Sequence, residues 1–177
     1  MLNWVQIDES YTDYLRENGD SRIPYTDYGA DKFKPFFGVL FAVGDLYYVT
    51  QVSHPQQKHV GKKNSLVFYK VFDLTDPKHL IAVVHLNYMF PVHKSLVKPL
   101  TYNGIRLQVC NLSARQQSKY IDLMHKEMRA INTLSLEEKA MRIYRLKYDS
   151  PNYFISQLCL DFKNLERVCR QYMAEFG

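Results

Sequence analysis

The hydrophobic pattern of the chain changes its period once, near Ser113, and this change constrains the fold more than any other feature. Before it, apolar and aromatic residues occur in short alternating runs separated by turn formers, which is typical of β-strands. After it, apolar residues recur every three or four positions, as they do on one face of a helix. The sequence therefore predicts an α+β protein in which a strongly curved antiparallel sheet precedes a set of helices.

Two glycine-containing pairs in the first part of the chain predict β-hairpins. Gly44-Asp45 joins the run "KPFFGVLFAV" to "LYYVTQVS", and Asn103-Gly104 lies inside "VKPLTYNGIRLQVC". Such pairs favour the tight turns that connect antiparallel strands. The runs "SLVFYKVFD" and "LIAVVHLNYMFPV" predict further strands, and "QQKHVGKKN" at 56–64 predicts an exposed, basic loop.

Two serines mark predicted helix starts after the change in period. Ser113 with Gln116, and Ser135 with Glu138, fit the capping box, in which two side chains satisfy each other's free backbone donors. The 177 residues are enough for one hydrophobic core, and no repeat or linker interrupts them. The sequence therefore predicts a single domain over residues 1–177.

Positive charge is concentrated in the middle of the chain. The net charge is +5, but residues 51–130 carry twelve bases and four acids, whereas residues 1–33 carry three bases and seven acids. The middle segment is therefore where a polyanion is expected to bind. It contains no cluster of carboxylates that would hold Mg²⁺, which counts against a metal-dependent nuclease.

The cysteines and the hydropathy disfavour other classes of protein. The three cysteines are far apart and lack zinc-ligand spacing, so we predict that they are reduced core residues of a cytoplasmic protein. We expect no export signal, because "MLNWVQIDESY" lacks a basic segment followed by an apolar one. We also expect no membrane span, because no run of about 18 apolar residues occurs. The cysteines are Cys110, Cys159 and Cys169.

The segment "TQVSHPQQKH" at residues 50–59 is the first candidate for chemistry. It continues an alternating strand, so Ser53 and His54 are predicted at a strand end, where a rigid element holds side chains in place. An imidazole gives and takes protons near neutral pH. A histidine before a proline can also simply bond a backbone carbonyl, and the residues alone leave both interpretations of His54 open.

Four stretches, taken in order, give the chain a family resemblance. They are "KPFFGVLF" after a tyrosine-bearing N-terminal segment, a strand that runs into "VSHPQQKH", then "LNYMFPV", and then "CLDFKNLERVCRQY". Together they resemble the ToxN/AbiQ family, the protein toxins of type III toxin–antitoxin and phage-abortive systems. The resemblance covers nearly the whole chain.

The resemblance implies a metal-independent endoribonuclease that uses no cofactor. Its fold would be a strongly twisted antiparallel sheet with surrounding and C-terminal helices, similar to the architecture of MazF and Kid. Its partners would be target mRNA and a small pseudoknot RNA antitoxin cut from repeats, with which the toxin forms a closed protein–RNA assembly. The alternative is a module of the same fold that binds structured RNA without cutting it.

Four positions of the family carry over to single residues of this chain. Lys34 matches a lysine two residues before the aromatic pair. Tyr11 and Tyr28 match tyrosines of the N-terminal segment, and Asn87 matches the asparagine of the "LNxMxP" strand. The resemblance therefore implies that these side chains belong to the RNA site.

At the strand end the chain departs from the family pattern. His54 stands where many relatives have a hydroxyl, and Gln56 stands where they have a lysine. Either Ser53 supplies the hydroxyl in a shifted geometry, with Lys58 as the cation, or His54 transfers the proton directly. We prefer the second.

The resulting hypothesis assigns roles to the candidates. His54 transfers a proton, Lys34 meets the phosphate charge in the transition state, and Ser53 bonds a phosphate or 2′-hydroxyl oxygen. Tyrosines hold the nucleotide, an asparagine places a base edge, and basic side chains grip phosphates. His85, inside an apolar strand, is predicted to be a core histidine. The predicted RNA-binding residues are Tyr11, Tyr28, Lys58, His59, Lys62, Lys63, Asn87, Arg115 and Lys119.

Overall fold

A computed structural model describes residues 1–28 and 33–177. In that part of the chain, an antiparallel sheet of eight strands is accompanied by helices, which confirms the predicted α+β class. The strands are β1 (Asn3–Gln6), β2 (Phe36–Gly38), β3 (Ala42–Val43), β4 (Leu46–Ser53), β5 (Phe68–Asp73), β6 (Asp76–His85), β7 (Phe90–His93) and β8 (Lys98–Pro99). The helices are α1 (Glu9–Asn18), α2 (Gln57–Val60), α3 (Tyr102–Gln108), α4 (Ala114–Ile131), α5 (Leu136–Asp149), α6 (Phe154–Leu158) and α7 (Phe162–Phe176), with 3-10 turns at Leu86–Tyr88 and Lys94–Leu96.

Strand β4 is the centre of the sheet. The strand order is β5-β6-β4-β2-β1-β8, and β4 also pairs with β3 and β7. The predicted hairpin at Gly44-Asp45 is confirmed, with Gly44 at φ +59°, a backbone conformation that glycine adopts without a steric penalty. The long β4 strand therefore carries its last residues beyond the hairpin to the place where β2 and β6 flank it.

The second predicted hairpin, at Asn103-Gly104, is wrong. These residues lie in α3, whose N-cap Thr101 accepts a hydrogen bond from the Gly104 amide at 3.1 Å. Ile105 and Val109, four residues apart, are fully buried at the spacing of one helical face. A capping threonine and this apolar spacing outweigh the turn propensity of the Asn-Gly pair.

Two other local expectations are corrected. The run "LIAVVHLNYMFPV" is two strands, β6 and β7, because the 3-10 turn at Leu86–Tyr88 interrupts it. The capping box of Ser113 and Gln116 is confirmed, whereas Ser135 has φ +48° and its side chain forms no capping hydrogen bond. Helix α5 nevertheless begins directly after Ser135, with Leu136 fully buried.

Helices cover the sheet and enclose the core. Helix α4 packs on β5 and β6, and α7 packs on β7 and α1. Cys159 and Cys169 are buried free thiols as predicted, but Cys110 is exposed after α3, so its assignment to the core is wrong. Within the described residues, no helix is both long enough and apolar enough to cross a membrane.

Candidate functional site

Ser53 and His54 are neighbours in sequence but line different cavities. Successive side chains of an extended segment point to opposite faces of its sheet; Ser53 is the last residue of β4, and His54 follows it directly. Ser53 lines a large open cleft, whereas His54 lines a small cavity on the side of α4. The fold therefore does not bring the two side chains together in one compact site.

The large cleft has a volume of about 570 Å³ and a cationic lining. One wall is β4, another is α2 with the residue Lys62 that follows it, and the end of β6 lies between them. Among the described residues no carboxylate lines this cleft, so its field favours an anion. The lining residues are Arg22, Pro24, Tyr28, Thr50, Gln51, Ser53, Lys58, His59, Lys62, His85 and Tyr88.

Helix α2 places a buried histidine in a segment that was predicted to be an exposed loop. His59 is only 5% exposed, and the Gln56 amide donates a hydrogen bond to its Nδ1 at 3.1 Å. Burial lowers the pKa of His59, and the nearby charges of Lys58 and Lys62 lower it further. The ring is therefore neutral, with Nδ1 as an acceptor and its proton on Nε2.

Tyr28 lines the cleft, and Lys34 lies next to Tyr28 without lining the cleft itself. Tyr28 is 45% exposed, and its hydroxyl donates to Gln51 Oε1 at 3.2 Å. The Lys34 ammonium lies 4.6 Å from the centre of the Tyr28 ring, a cation–π contact. Gln51 Nε2 in turn donates to the backbone carbonyl of Lys34 at 2.6 Å. The buried amide of Gln51 thus holds Tyr28 and Lys34 in position.

The small cavity places His54 beside a buried carboxyl group. It has a volume of only about 10 Å³, too small for a nucleotide, and is lined by His54, Lys34 and Glu127 together with apolar residues. Glu127 of α4 is 2% exposed, and burial raises its pKa to about 8. At neutral pH this carboxyl group therefore keeps its proton. Lys34 lines this cavity and also contacts the cleft residue Tyr28, so it connects the two sides.

The stability of the protein is expected to depend on pH through Glu127. Its pKa is about 8 in the folded protein and 4.5 when unperturbed, so the folded state holds this proton more tightly. The contribution of the Glu127 proton to the free energy of unfolding is complete below pH 4.5 and is lost as the pH rises from there to about 8. We predict that Glu127→Gln, which stays neutral, gains stability relative to wild type between pH 5 and pH 8. Urea unfolding of both proteins at several pH values measures this, and two parallel curves would contradict it.

Two predicted RNA-binding residues lie inside the protein. Tyr11 has no exposed surface, and its hydroxyl donates to the Pro91 carbonyl at 2.6 Å. Asn87 is also buried, and its Nδ2 donates to the Leu158 carbonyl at 3.4 Å. In this conformation Tyr11 offers no ring face to a base, and Asn87 is packed against the segment that precedes α7. Neither side chain lines the cleft.

The other predicted RNA-binding residues divide into two groups. Lys58 and Lys62 line the cleft, whereas Lys63 is exposed but does not line it. Arg115 and Lys119 are exposed on the first turns of α4, and neither lines the cleft. The structure therefore brings Ser53, Tyr28, Lys58, His59 and Lys62 together in one cleft.

Six of the eleven residues that line the cleft are not among the residues predicted from the sequence. Arg22, Tyr88 and His85 are the charged and aromatic ones, and His85 was expected in the core. The others are Pro24, Thr50 and Gln51. The pairing of β4 with β6 explains the position of His85. Ser53 pairs with Val83, and residues two positions apart in a strand share a face, so His85 lies on the face of the sheet that Ser53 occupies. This register cannot be read from the sequence, because it depends on the pairing of strands about thirty residues apart.

A comparison with known families identifies the chain. The family described as "Toxin ToxN, type III toxin-antitoxin system" matches residues 3–170. The chain belongs to the ToxN toxin family. The match confirms the resemblance read from the sequence. A relative of known activity, the endoribonuclease ToxN of Bacillus thuringiensis subsp. kurstaki, is 29% identical over 169 residues, which are 94% of this chain and 81% of that protein.

Solved structures share the ToxN fold of this chain. AbiQ, a lactococcal anti-phage endoribonuclease belonging to the type III toxin–antitoxin system, superposes with a TM-score of 0.78 at 21% identity, over 98% of this chain and 99% of AbiQ. A chain from a type III system in which a non-coding RNA pseudoknot selectively inhibits the toxin gives a TM-score of 0.76 at 23% identity, over 97% and 98% of the two chains. At these identities the likeness establishes the fold.

Proposed function

We propose that this protein is a metal-independent endoribonuclease toxin whose RNA substrate reacts in the large cleft. The proposal is supported most by the cationic cleft that Ser53 lines. No carboxylate is found among its described lining residues, and the chain is a member of the ToxN family. Cleavage would proceed by attack of a 2′-hydroxyl on the neighbouring phosphate. The products would be a 2′,3′-cyclic phosphate and a free 5′-hydroxyl.

The chemistry needs positioned donors and no metal ion. Ser53 donates to a non-bridging oxygen of the reacting phosphate, and Lys34 reaches in from beside Tyr28 to meet the negative charge of the phosphorane. Lys58 and Lys62 hold the flanking phosphates, and the half-exposed ring of Tyr28 stacks on a base. Each well-placed donor accelerates the reaction by about 10²–10³-fold.

His54 takes a different role in this proposal from the one that the sequence suggested. The sequence hypothesis makes it the proton-transfer group, but it lines the cavity on the α4 side of β4. From there the exposed imidazole contacts RNA that flanks the reacting phosphate. Replacement of His54 by alanine is then expected to weaken RNA binding and to leave the cleavage rate at saturating RNA nearly unchanged.

The proposed partners are target mRNA and a small antitoxin RNA. A relative's chain comes from a system with an inhibitory non-coding RNA pseudoknot, and we propose that a repeat-derived pseudoknot neutralises this protein too, in a closed protein–RNA assembly in the cytoplasm. A likeness of the sheet to MazF and Kid stays a prediction.

A cleavage assay separates an enzyme from a binding module. Purified protein is mixed with single-stranded RNA of mixed sequence, and bound and cut RNA are measured in parallel. Fragments that accumulate, and that stop accumulating when the cognate repeat RNA is added, support the proposal. RNA that is bound but stays intact would show that the cleft holds RNA without cutting it.

Binding of the antitoxin RNA is expected to depend steeply on salt. Each phosphate that a lysine neutralises releases a counterion and adds roughly 0.7–0.9 to the slope of log K against log salt. The double variant Lys58→Gln/Lys62→Gln should therefore lower that slope by about 1.5. Lys78→Gln/Lys98→Gln, which removes two exposed lysines that do not line the cleft, is the matched control. If the slope of log K against log salt were equal in the two double variants, the antitoxin RNA would bind elsewhere on the protein.

A further inference from the structure

The ring of His85 is the central imidazole of the cleft. It is the last residue of β6, lies opposite Phe68 of β5, and lines the cleft together with Ser53. Its ring centre lies 5.1 Å from that of Phe68, 6.0 Å from that of Tyr88 and 6.1 Å from that of His59. Aromatic rings thus fix its orientation, while one part of the side chain stays open to the cleft.

The ring nitrogens of His85 are not engaged by the protein. Within residues 1–28 and 33–177, apart from the backbone bonds of the sheet, His85 has one hydrogen bond, which its backbone carbonyl accepts from Thr50 Oγ1 at 3.3 Å. A histidine that serves packing alone normally bonds a carbonyl or carboxylate through its ring. The two nitrogens of His85 are therefore available to a ligand in the cleft.

Burial, together with the charges around it, keeps the ring of His85 neutral. Lys58, His59 and Lys62 face it from α2 and the residues after it, Arg22 and Tyr28 from the opposite wall, and Tyr88 from the 3-10 turn. Burial lowers the pKa of His85 to about 4, and the charges of Lys62 and Lys58 add to this effect. An unprotonated imidazole is a proton acceptor at neutral pH. Binding of a phosphate beside it would raise this pKa again, towards the range where proton transfer is efficient.

We propose that His85 is the general base that accepts the proton of the attacking 2′-hydroxyl. This inference rests on the proposed ribonuclease function and names the group that starts the reaction. As the proton moves from the 2′-oxygen to a ring nitrogen of His85, the 2′-oxygen bonds to phosphorus. The bond from phosphorus to the 5′-oxygen breaks, and that oxygen takes a proton from water. The imidazolium then releases its proton to solvent.

The other two histidines of this region fit the role less well. Nδ1 of His59 already accepts the Gln56 amide, and its ring is nearly fully buried. His54 lines the cavity on the other side of β4. Among the described residues, His85 is thus the histidine that lines the cleft and whose ring nitrogens form no hydrogen bond with the protein.

The first test is a pH profile of single-turnover cleavage at saturating RNA. We expect His85→Asn to cut about 100-fold more slowly near pH 7, within the range for loss of a positioned proton acceptor. The wild-type rate should level off above the pKa of His85 in the RNA complex, whereas the variant rate should keep rising with pH. His79→Asn, on the exposed first half of β6, is the matched control and should behave as wild type.

The second test separates a base from an acid. In an RNA whose 5′-bridging oxygen at the cut site is replaced by sulfur, the leaving group needs no proton. A defect of His85→Asn that persists on this substrate supports the base assignment, and a defect that disappears would make His85 the acid and overturn it. A rate at saturating RNA within threefold of wild type, with an unchanged pH profile, would also overturn it.

Failure of the inference can be told from failure of the proposed function. If wild-type protein does not cut RNA, the function fails and the inference fails with it. If wild type cuts and His85→Asn cuts equally well, only the inference fails. Should the variant unfold, NMR titration of wild-type His85 with 2′-O-methyl RNA gives the answer. A raised pKa in the complex supports the proposal, and an unchanged pKa contradicts it.

Discussion

Replacing Lys34 with glutamine is expected to slow single-turnover RNA cleavage by about 10²–10³-fold, the usual cost of losing one charged donor at a developing oxyanion. The ammonium group of Lys34 lies 4.6 Å from the centre of the ring of Tyr28, a cleft residue, and Gln51 Nε2 donates a hydrogen bond to the backbone carbonyl of Lys34. A group placed in advance in this way needs little rearrangement as charge develops on the phosphorane. Because the charge grows only in the transition state, RNA affinity should fall much less than the rate.

Two further variants make this result specific. Lys34→Arg keeps the charge but changes its geometry, so it should recover part of the rate. Lys78→Gln removes an exposed lysine of β6 that, unlike Lys34, has no contact with the cleft residue Tyr28, and it should leave the rate within twofold of wild type. Equal losses in Lys34→Gln and Lys78→Gln would mean that Lys34 acts only through the net charge of the protein.

Replacing Glu166 with leucine is expected to lower the free energy of unfolding by about 3 kcal/mol. Its Oε1 accepts hydrogen bonds from the hydroxyls of Tyr48 and Tyr144, both at 2.8 Å. Tyr48 is fully buried, and burial raises its pKa well above the ordinary value, so the phenol always remains a donor. Leucine would leave both hydroxyls without an acceptor, at about 1–3 kcal/mol each.

Urea unfolding with matched variants measures this effect. Glu166→Gln keeps an oxygen acceptor at the same place and should cost only about 1 kcal/mol. Glu175→Leu changes an exposed carboxylate of the same helix and should stay within about 0.5 kcal/mol of wild type. If Glu166→Leu and Glu175→Leu were equally stable, the hydrogen bonds that α7 accepts from β4 and α5 would contribute nothing to stability.

Much of the fold follows from local patterns in the sequence. The hairpin at Gly44-Asp45 and the helix start at Ser113 are set by residues that touch each other within a few positions, so the sequence predicts them correctly. The Asn103-Gly104 pair misled because Thr101 and the buried Ile105 favour a helix over the same residues. Propensity for a turn decides the structure only where packing and capping do not oppose it.

The candidate site was harder to predict because it depends on distant pairings. The strand-end location of Ser53 was predictable from alternation, but not that His85 shares its face of the sheet, since this depends on the register of β4 with β6. Tyr11 and Asn87 were expected to touch RNA by resemblance, yet each is committed to a buried hydrogen bond. A residue type at a family position does not reveal which way the side chain faces.

We propose that RNA is cut in the cleft by its own 2′-hydroxyl, without a metal ion. The most direct test is to incubate wild-type protein with RNA in excess chelator and to determine the chemical ends of the fragments. We expect undiminished cleavage, with 2′,3′-cyclic phosphate and 5′-hydroxyl ends. Fragments with 3′-hydroxyl and 5′-phosphate ends, or cleavage that stops in chelator and returns with Mg²⁺, would contradict it.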